Sequence, residues 1–226
     1  MSDSLQNPVF TIGFRGAAQA GKTTAALAIQ NHYESTYLRS ISDYLWELSA
    51  VIFAWDPTSL NQSKEVEHSL TRRQRAELKW ECRGRLALLR GHIPIDIYQC
   101  LSEWILIFCS SIPKLSYRSV MQSMGKAIRT VNPSYLIERV KLDASQSTAR
   151  IKINHSVRFP DELASCQYVI EIIRPDGPEL SEQARGAMTE HALDGCASSY
   201  TIHNDGTLEE FYAKVLSTTQ LMLRGE

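Results

Sequence analysis

Apolar positions along the 226 residues fall into short runs and helical stripes that alternate in a regular order. Val9-Phe10-Thr11-Ile12-Gly13-Phe14 reads as a strand buried on both faces, the pattern of a parallel sheet. The next segment, Thr24-Ala25-Ala26-Leu27-Ala28-Ile29, is built from good helix formers. Thr36 to Ile41 predicts a second strand, and Leu45, Leu48, Ile52 and Trp55 then recur at helical spacing until Pro57 ends the pattern. Residues 64–90 read as a long charged helix, 97–109 as a buried helix, and Tyr117 to Thr130 as another, broken by Asn132-Pro133. Ala149 to Asn154 and Tyr168 to Ile173 predict the third and fourth strands, the fourth closed by Arg174-Pro175. The polar stretch 175–195 suits a lid. Ser199 to His203 predicts a fifth strand, after which Thr207-Leu208-Glu209-Glu210 forms a capping box for a last amphipathic helix.

This order implies an α/β fold of three layers, with a parallel sheet of about five strands covered by helices on both faces. One domain is expected, with its core in 8–41 and 148–226, a helical insertion at about 42–147 and the lid at about 175–195. Hydrophobic content of 43% fits a globular chain, and a formal net charge of −1 supplies no global basic field, so stable nucleic-acid binding is not expected. The longest apolar run, Trp104 to Cys109, is far shorter than the roughly 20 residues a spanning helix needs. The N-terminus has neither the basic region nor the apolar core of a signal peptide. Five cysteines without a Cys-x-x-Cys pair or zinc-ligand spacing read as reduced, mostly buried thiols, and the expected location is the cytoplasm.

Chemistry enters between the first strand and the first helix. Gly16-Ala17-Ala18-Gln19-Ala20-Gly21-Lys22-Thr23 is a complete Gly-x4-Gly-Lys-Thr phosphate-binding loop, and Thr24 continues it into the helix. Glycines let backbone N–H groups curl around phosphate oxygens, Lys22 reaches the β and γ phosphates, and the Thr23 hydroxyl can ligate Mg2+. A strand feeding such a turn into a helix sets the positive end of the helix dipole on the phosphate. The competing reading is a glycine-rich turn with a chance lysine; Lys22 and Thr23, expected as exposed loop positions, have little structural reason to be there. No Asn/Thr-Lys-x-Asp guanine-reading motif follows, and the third strand ends Ile153-Asn154-His155-Ser156 without the carboxylate of a motor or transporter ATPase. A small-molecule kinase with the three-layer fold of phosphate-loop nucleotide-binding proteins remains, and phosphoryl transfer directs attention to the arginines.

Four collinear stretches resemble the bacteriophage deoxynucleoside monophosphate kinases. Besides the phosphate loop they are Arg118-Ser119-Val120-Met121-Gln122-Ser123-Met124-Gly125, Val157-Arg158-Phe159-Pro160-Asp161-Glu162, and the series Ile173-Arg174-Pro175, Thr189-Glu190 and Ile202-His203-Asn204-Asp205-Gly206-Thr207-Leu208-Glu209-Glu210. The resemblance implies transfer of the γ-phosphoryl of ATP to a deoxynucleoside 5′-monophosphate with Mg2+. It also implies a phage origin, work in the host cytoplasm and a homodimer. Lys22, Arg158 and Arg174 would carry catalysis, Thr23 the metal, and Arg118, Gln122, Arg129 and Arg158 the acceptor, with Trp46 and Tyr135 near the base. Arg185 is a further lid candidate by location.

The chain also departs from that family. Thr23 stands where relatives commonly carry Asp, Ser156 aligns with their strand-end Asp, and a lysine usual after the second strand aligns near Trp46. Two other readings therefore stay open: a kinase for a modified deoxynucleotide or another small phosphate acceptor, and a nucleotide-binding protein with weakened catalysis. The basic run Arg72-Arg73-Gln74-Arg75 through Lys79, Arg83, Arg85 and Arg90 reads as a solvated helix face partly balanced by Glu77 and Glu81. The histidines show no metal spacing, and His155 suits a strand-end structural role as well as a ligand.

Overall fold

A computed structural model describes residues 8–55, 68–177 and 191–225. In chain order the elements are β1 (Phe10–Arg15), α1 (Lys22–His32), β2 (Thr36–Leu38), α2 (Ile41–Phe53), β3 (His68–Ser69), α3 (Arg72–Leu86), α4 (Ile95–Ser111), β4 (Lys114–Leu115) and α5 (Tyr117–Val131). They continue as α6 (Tyr135–Gln146), β5 (Ile151–Asn154), α7 (Pro160–Leu163), β6 (Tyr168–Ile173), β7 (Tyr200–His203) and α8 (Leu208–Arg224). The chain divides into two compact units, one formed by residues 1–40 and 140–226 and the other by 41–139. No helix among the described residues is long and apolar enough to cross a membrane.

The first unit is an α/β layer structure around a five-stranded sheet in the order β2-β5-β1-β6-β7, with every pairing parallel. Ile12 pairs with Ile153 on one side and Tyr168 on the other, which places β1 at the centre. Ile12, Phe14, Ile153, Ile170, Ile172 and Ile202 bury one side of the strands against Ala25 and Ile29 of α1 and Phe211 and Val215 of α8. Each fully buried Ile or Phe stabilises the fold by about 1.5–3 kcal/mol. The capping box expected at Thr207 is present: its hydroxyl accepts from the Glu210 amide at 3.2 Å while Glu210 Oε2 accepts from the Thr207 amide at 2.7 Å.

The second unit packs α2 to α5 around Ile52, Leu86, Ile97, Leu101, Ile105, Met124 and Ile128, with β3 and β4 forming a short antiparallel pair. Trp104 fills part of this core and donates its indole N–H to Ser123 Oγ at 2.8 Å. Capping boxes at Thr71/Gln74 and Ser116/Ser119 open α3 and α5.

Several boundaries differ from the sequence reading. Strand β2 stops at Leu38 because Ile41 belongs to the buried face of α2, with Tyr44, Leu45, Leu48 and Ile52 at the following turns. Of the charged stretch 64–90, residues 64–67 lie outside the described residues; from residue 68 on, β3 comes first, the helix runs from Arg72 to Leu86, and a 3-10 turn follows at Ala87–Leu89. The helical unit ends at residue 139 rather than 147, inside α6, whose later residues belong to the sheet unit. The crossover from β5 to β6 carries only the single turn of α7. All five cysteines are free, but only Cys82 and Cys109 are buried, while Cys100, Cys166 and Cys196 are half-buried.

Candidate functional site

Strand β1 runs directly into the Gly16–Gly21 loop, and the loop into α1. Gly16 has φ +132° and Gly21 φ +111°, conformations open to glycine and strained for any residue with a side chain. A Cβ on Gly16 would collide with the Ile172 carbonyl oxygen of β6, so the loop lies flush on that strand. A Cβ on Gly21 would come within 2.8 Å of Asn204 Nδ2. Asn204, just past β7, donates to the Ala20 carbonyl at 2.9 Å, and Arg174, just past β6, approaches the Gln19 carbonyl at 3.4 Å. The loop is thus held from the carboxyl ends of three neighbouring strands. From β1 the chain proceeds toward β2 on one side of the sheet, and from β6 toward β7 on the other. Ligands of open α/β sheets bind at such a divergence, outside the strand carboxyl ends.

Among the described α-helices with defined caps, α1 differs from the others in having neither a side-chain cap nor an acidic residue in its first turn. Helices α3, α5 and α8 each begin with a capping box, and α4, which also lacks a side-chain cap, carries Asp96 in its first turn, whereas α1 begins at Gly21 with neither. The first N–H groups of a helix have no intrahelical acceptor, and the helix dipole places partial positive charge there. Lys22 adds a full positive charge: its Nζ donates to the carbonyls of Gly16 at 2.7 Å and Ala17 at 2.5 Å. The expected exposed lysine is a correction, because Lys22 is only 7% exposed and folded back into the loop. Thr23 is exposed and Thr24 half-buried in the first turn of α1. Backbone donors, a dipole end and an ammonium at one turn make a site for an anion such as a phosphate.

At the end of β5, Ser156 stands where a carboxylate was expected to be missing, and Glu162 of the resembling stretch lies close to it through Asn154. Ser156 is buried and donates its amide to Asn154 Oδ1 at 3.1 Å, and Asn154 Nδ2 donates to Glu162 Oε2 at 3.4 Å. Glu162, on α7, is 1% exposed, so a carboxylate does lie beside this strand end, buried and hydrogen-bonded. The Val157 amide bonds the Phe14 carbonyl at 2.9 Å, which ties the segment carrying half-buried Arg158 to the end of β1. Arg174 is exposed. No cluster of three or more His, Cys, Asp or Glu residues suited to a metal occurs among the described residues. Thr23 offers one hydroxyl, and Mg2+ tolerates such a sparse protein contribution when phosphate oxygens and water complete its octahedron.

The remaining candidates lie in the helical unit. Arg118, Gln122 and Arg129 fall within about 40° of one another around α5 at 3.6 residues per turn, so they share a face. Gln122 is exposed and both arginines are half-buried. Trp46 is half-buried, its ring edge-on to Tyr117 at 5.5 Å, and Tyr117 also meets Trp55 at 4.1 Å. Tyr135 does not sit as expected: it is buried, and its hydroxyl is bonded to that of Tyr44 at 2.6 Å. Burial, then the Tyr44 hydroxyl, holds its phenol above the usual range. It packs the helical unit and is withdrawn from the acceptor set. The basic run on α3 includes ion pairs Arg73–Glu77 at 2.8 Å and Arg85–Glu81 at 3.0 Å on exposed or half-buried helix positions.

Most of the expected lid, with Arg185, Thr189 and Glu190, lies outside the described residues. Its far end is anchored by Arg15, which sequence reading missed. Arg15 pairs with Glu171 at 2.8 Å and donates to the Cys196 carbonyl at 2.6 Å. Its only sequence signal was a charge at the end of a buried strand. Asn204 appeared within a resembling stretch, but its bond to the loop has no local signal.

No protein-family model matches the chain, and no curated protein matches it. Among solved structures the chain is similar to TT1252 from Thermus thermophilus, with 14% identity over 96% of this chain and 98% of that one, at a TM-score of 0.50. That likeness is one of fold alone, and this chain's fold is α/β, with a five-stranded parallel sheet flanked by helices.

Proposed function

We propose that the chain is a phosphate-loop kinase that transfers the γ-phosphoryl group of ATP to a deoxynucleoside 5′-monophosphate, with Mg2+, as its resemblance to phage enzymes of that kind implies. The observation that carries the reading is the uncapped start of α1, closed over by a loop whose two glycines have positive φ and whose lysine lies inside it. Helix α4 also lacks a side-chain cap but has Asp96 in its first turn; a start of α1 with neither, beside a positive-φ glycine loop and a lysine, supports an anionic ligand as a partner for its N–H groups. Lys22 would bridge the β and γ phosphates, and Thr23 would hold Mg2+ that arrives with the nucleotide. Arg174 and Arg158 would counter the charge on the transferring group, where electrostatic stabilisation does most of the catalytic work. Arg118, Gln122 and Arg129 are assigned to the acceptor, with Trp46 beside the base.

A second reading, a nucleotide-binding protein with weakened catalysis, is favoured by one observation. Ser156 replaces a strand-end carboxylate and is buried, and the nearby carboxylate of Glu162 is buried and engaged by Asn154. Incubating the protein with ATP, Mg2+ and a panel of natural and base-modified monophosphates, and following diphosphate formation, separates these readings. Transfer to a natural deoxynucleotide supports the first, and transfer confined to a modified base redirects the acceptor. Binding of ATP without transfer supports the second, and no binding of ATP refutes both.

A further inference from the structure

A central strand of a parallel sheet is expected to be apolar on both faces. Strand β5 lies inside the sheet between β2 and β1, yet it reads Ile151-Lys152-Ile153-Asn154, apolar on one face and polar on the other. The register extends this polar row across the sheet: Lys152 stands between Tyr37 of β2 and Thr11 of β1. These three residues line a cavity of about 240 Å3 in the sheet unit, together with residues of α6 and of the crossover that follows α7. That crossover contributes a single helical turn, so no full-length helix comes from it to pack the sheet.

The walls combine apolar Val9, Val140 and Ala144 with three cations, Arg39, Lys141 and Lys152. Arg39 is paired with Asp143 at 3.1 Å. Lys141 and Lys152 have no ion-pair partner among the described residues. A half-buried ammonium on a strand inside the sheet carries a desolvation cost that an anion in the cavity would offset. The volume corresponds to about eight waters at roughly 30 Å3 each and falls below the range of about 300–1,000 Å3 of drug-sized pockets, too small for a nucleotide.

We infer that this cavity is a second binding site, separate from the phosphate loop, for a small organic carboxylate with a short apolar body. The carboxylate is held by Lys152 and Lys141, and its apolar part rests on Val140 and Ala144. The inference does not depend on the nucleotide reading. It is tested by titrating the full chain with hexanoate, hexan-1-ol and hexylamine by calorimetry or ligand-observed NMR. The expected result is one site for hexanoate, binding about tenfold more weakly for the alcohol and none for the amine. Lys152→Gln weakens hexanoate about tenfold and leaves hexan-1-ol unchanged, and Ala144→Trp, which fills the cavity, abolishes both. Circular dichroism checks the fold of each variant, and Lys152→Gln alone decides the matter if Ala144→Trp does not fold. Absence of hexanoate binding, equal binding of the three probes, or hexanoate binding unchanged in Lys152→Gln overturns the inference.

Discussion

Gly16→Ala and Gly84→Ala make the same chemical change and are expected to move stability in opposite directions. At Gly16 the backbone has φ +132°, a region that a residue with a Cβ occupies at a cost of about 1–3 kcal/mol. The new methyl would also fall well inside the 3.0 Å floor that real Cβ contacts respect, against the Ile172 carbonyl oxygen. Ile172 is paired with Ile202 in the β6–β7 ladder, so the oxygen cannot yield without disturbing the sheet. Together these give a loss of about 2–4 kcal/mol, or roughly 6–12 °C in Tm for a chain of this size. At Gly84, inside α3, a Cβ meets nothing within 4 Å, and removing a helical glycine stabilises by about 0.5–1 kcal/mol. Thermal denaturation of both variants, with titration of a fluorescent ATP analogue, tests the pair. Gly16→Ala is expected to lose nucleotide affinity as well as stability, and Gly84→Ala to keep affinity while Tm rises by a few degrees. A Gly16→Ala protein with wild-type Tm and wild-type nucleotide affinity would refute the argument that this loop is pressed onto β6 to form the site.

The other expectations are smaller. Asn204→Ala removes the 2.9 Å bond to the Ala20 carbonyl and should cost about 1 kcal/mol, with weaker nucleotide binding in the same titration. Arg15→Met leaves Glu171 half-buried without its partner and should cost about 2 kcal/mol in urea denaturation, more than an exposed ion pair would. Tyr135→Phe should lower stability by about 1 kcal/mol and leave base preference unchanged in a monophosphate panel; a changed preference would return Tyr135 to the acceptor set. Burial raises the Cys166 thiol from 9.0 to about 11. Because the unfolded thiol ionises first, the associated stability is full below pH 9 and lost as pH rises toward 11; Cys166→Ala should flatten that part of the stability curve.

What the sequence made legible was local. The run Tyr168–Ile173 forms a strand with the expected ends, the capping box at Thr207 is formed, and the glycines of the loop adopt the backbone that their spacing implied. Misreadings arose where one residue type serves two patterns. Ile41 extends an apolar strand run as readily as it begins a helix face, and only packing in α2 decides between them. Lys22 was expected in solvent because the motif describes its reach toward phosphate; its Nζ instead donates to the carbonyls of Gly16 and Ala17. Arg15 escaped attention, and the bonds of Asn204 and Glu162 were not foreseen, because the partners are 156, 184 and 8 residues away and no local periodicity marks such bonds. The polar face of β5 was visible as Lys152 and Asn154, but its meaning depended on the sheet order that places β5 between β2 and β1.

The account rests on phosphoryl transfer at the Gly16–Thr23 loop, and label transfer tests it most directly. Wild-type protein and Lys22→Ala would each be incubated with ATP labelled at the γ-phosphate, Mg2+ and every natural deoxynucleoside monophosphate in turn, with Tm recorded for both proteins. The account predicts label in the β-phosphate of at least one deoxynucleoside diphosphate from the wild type, and a loss of several orders of magnitude in a folded Lys22→Ala protein. Label that stays in ATP with every acceptor, or transfer by Lys22→Ala at the wild-type rate, would contradict it.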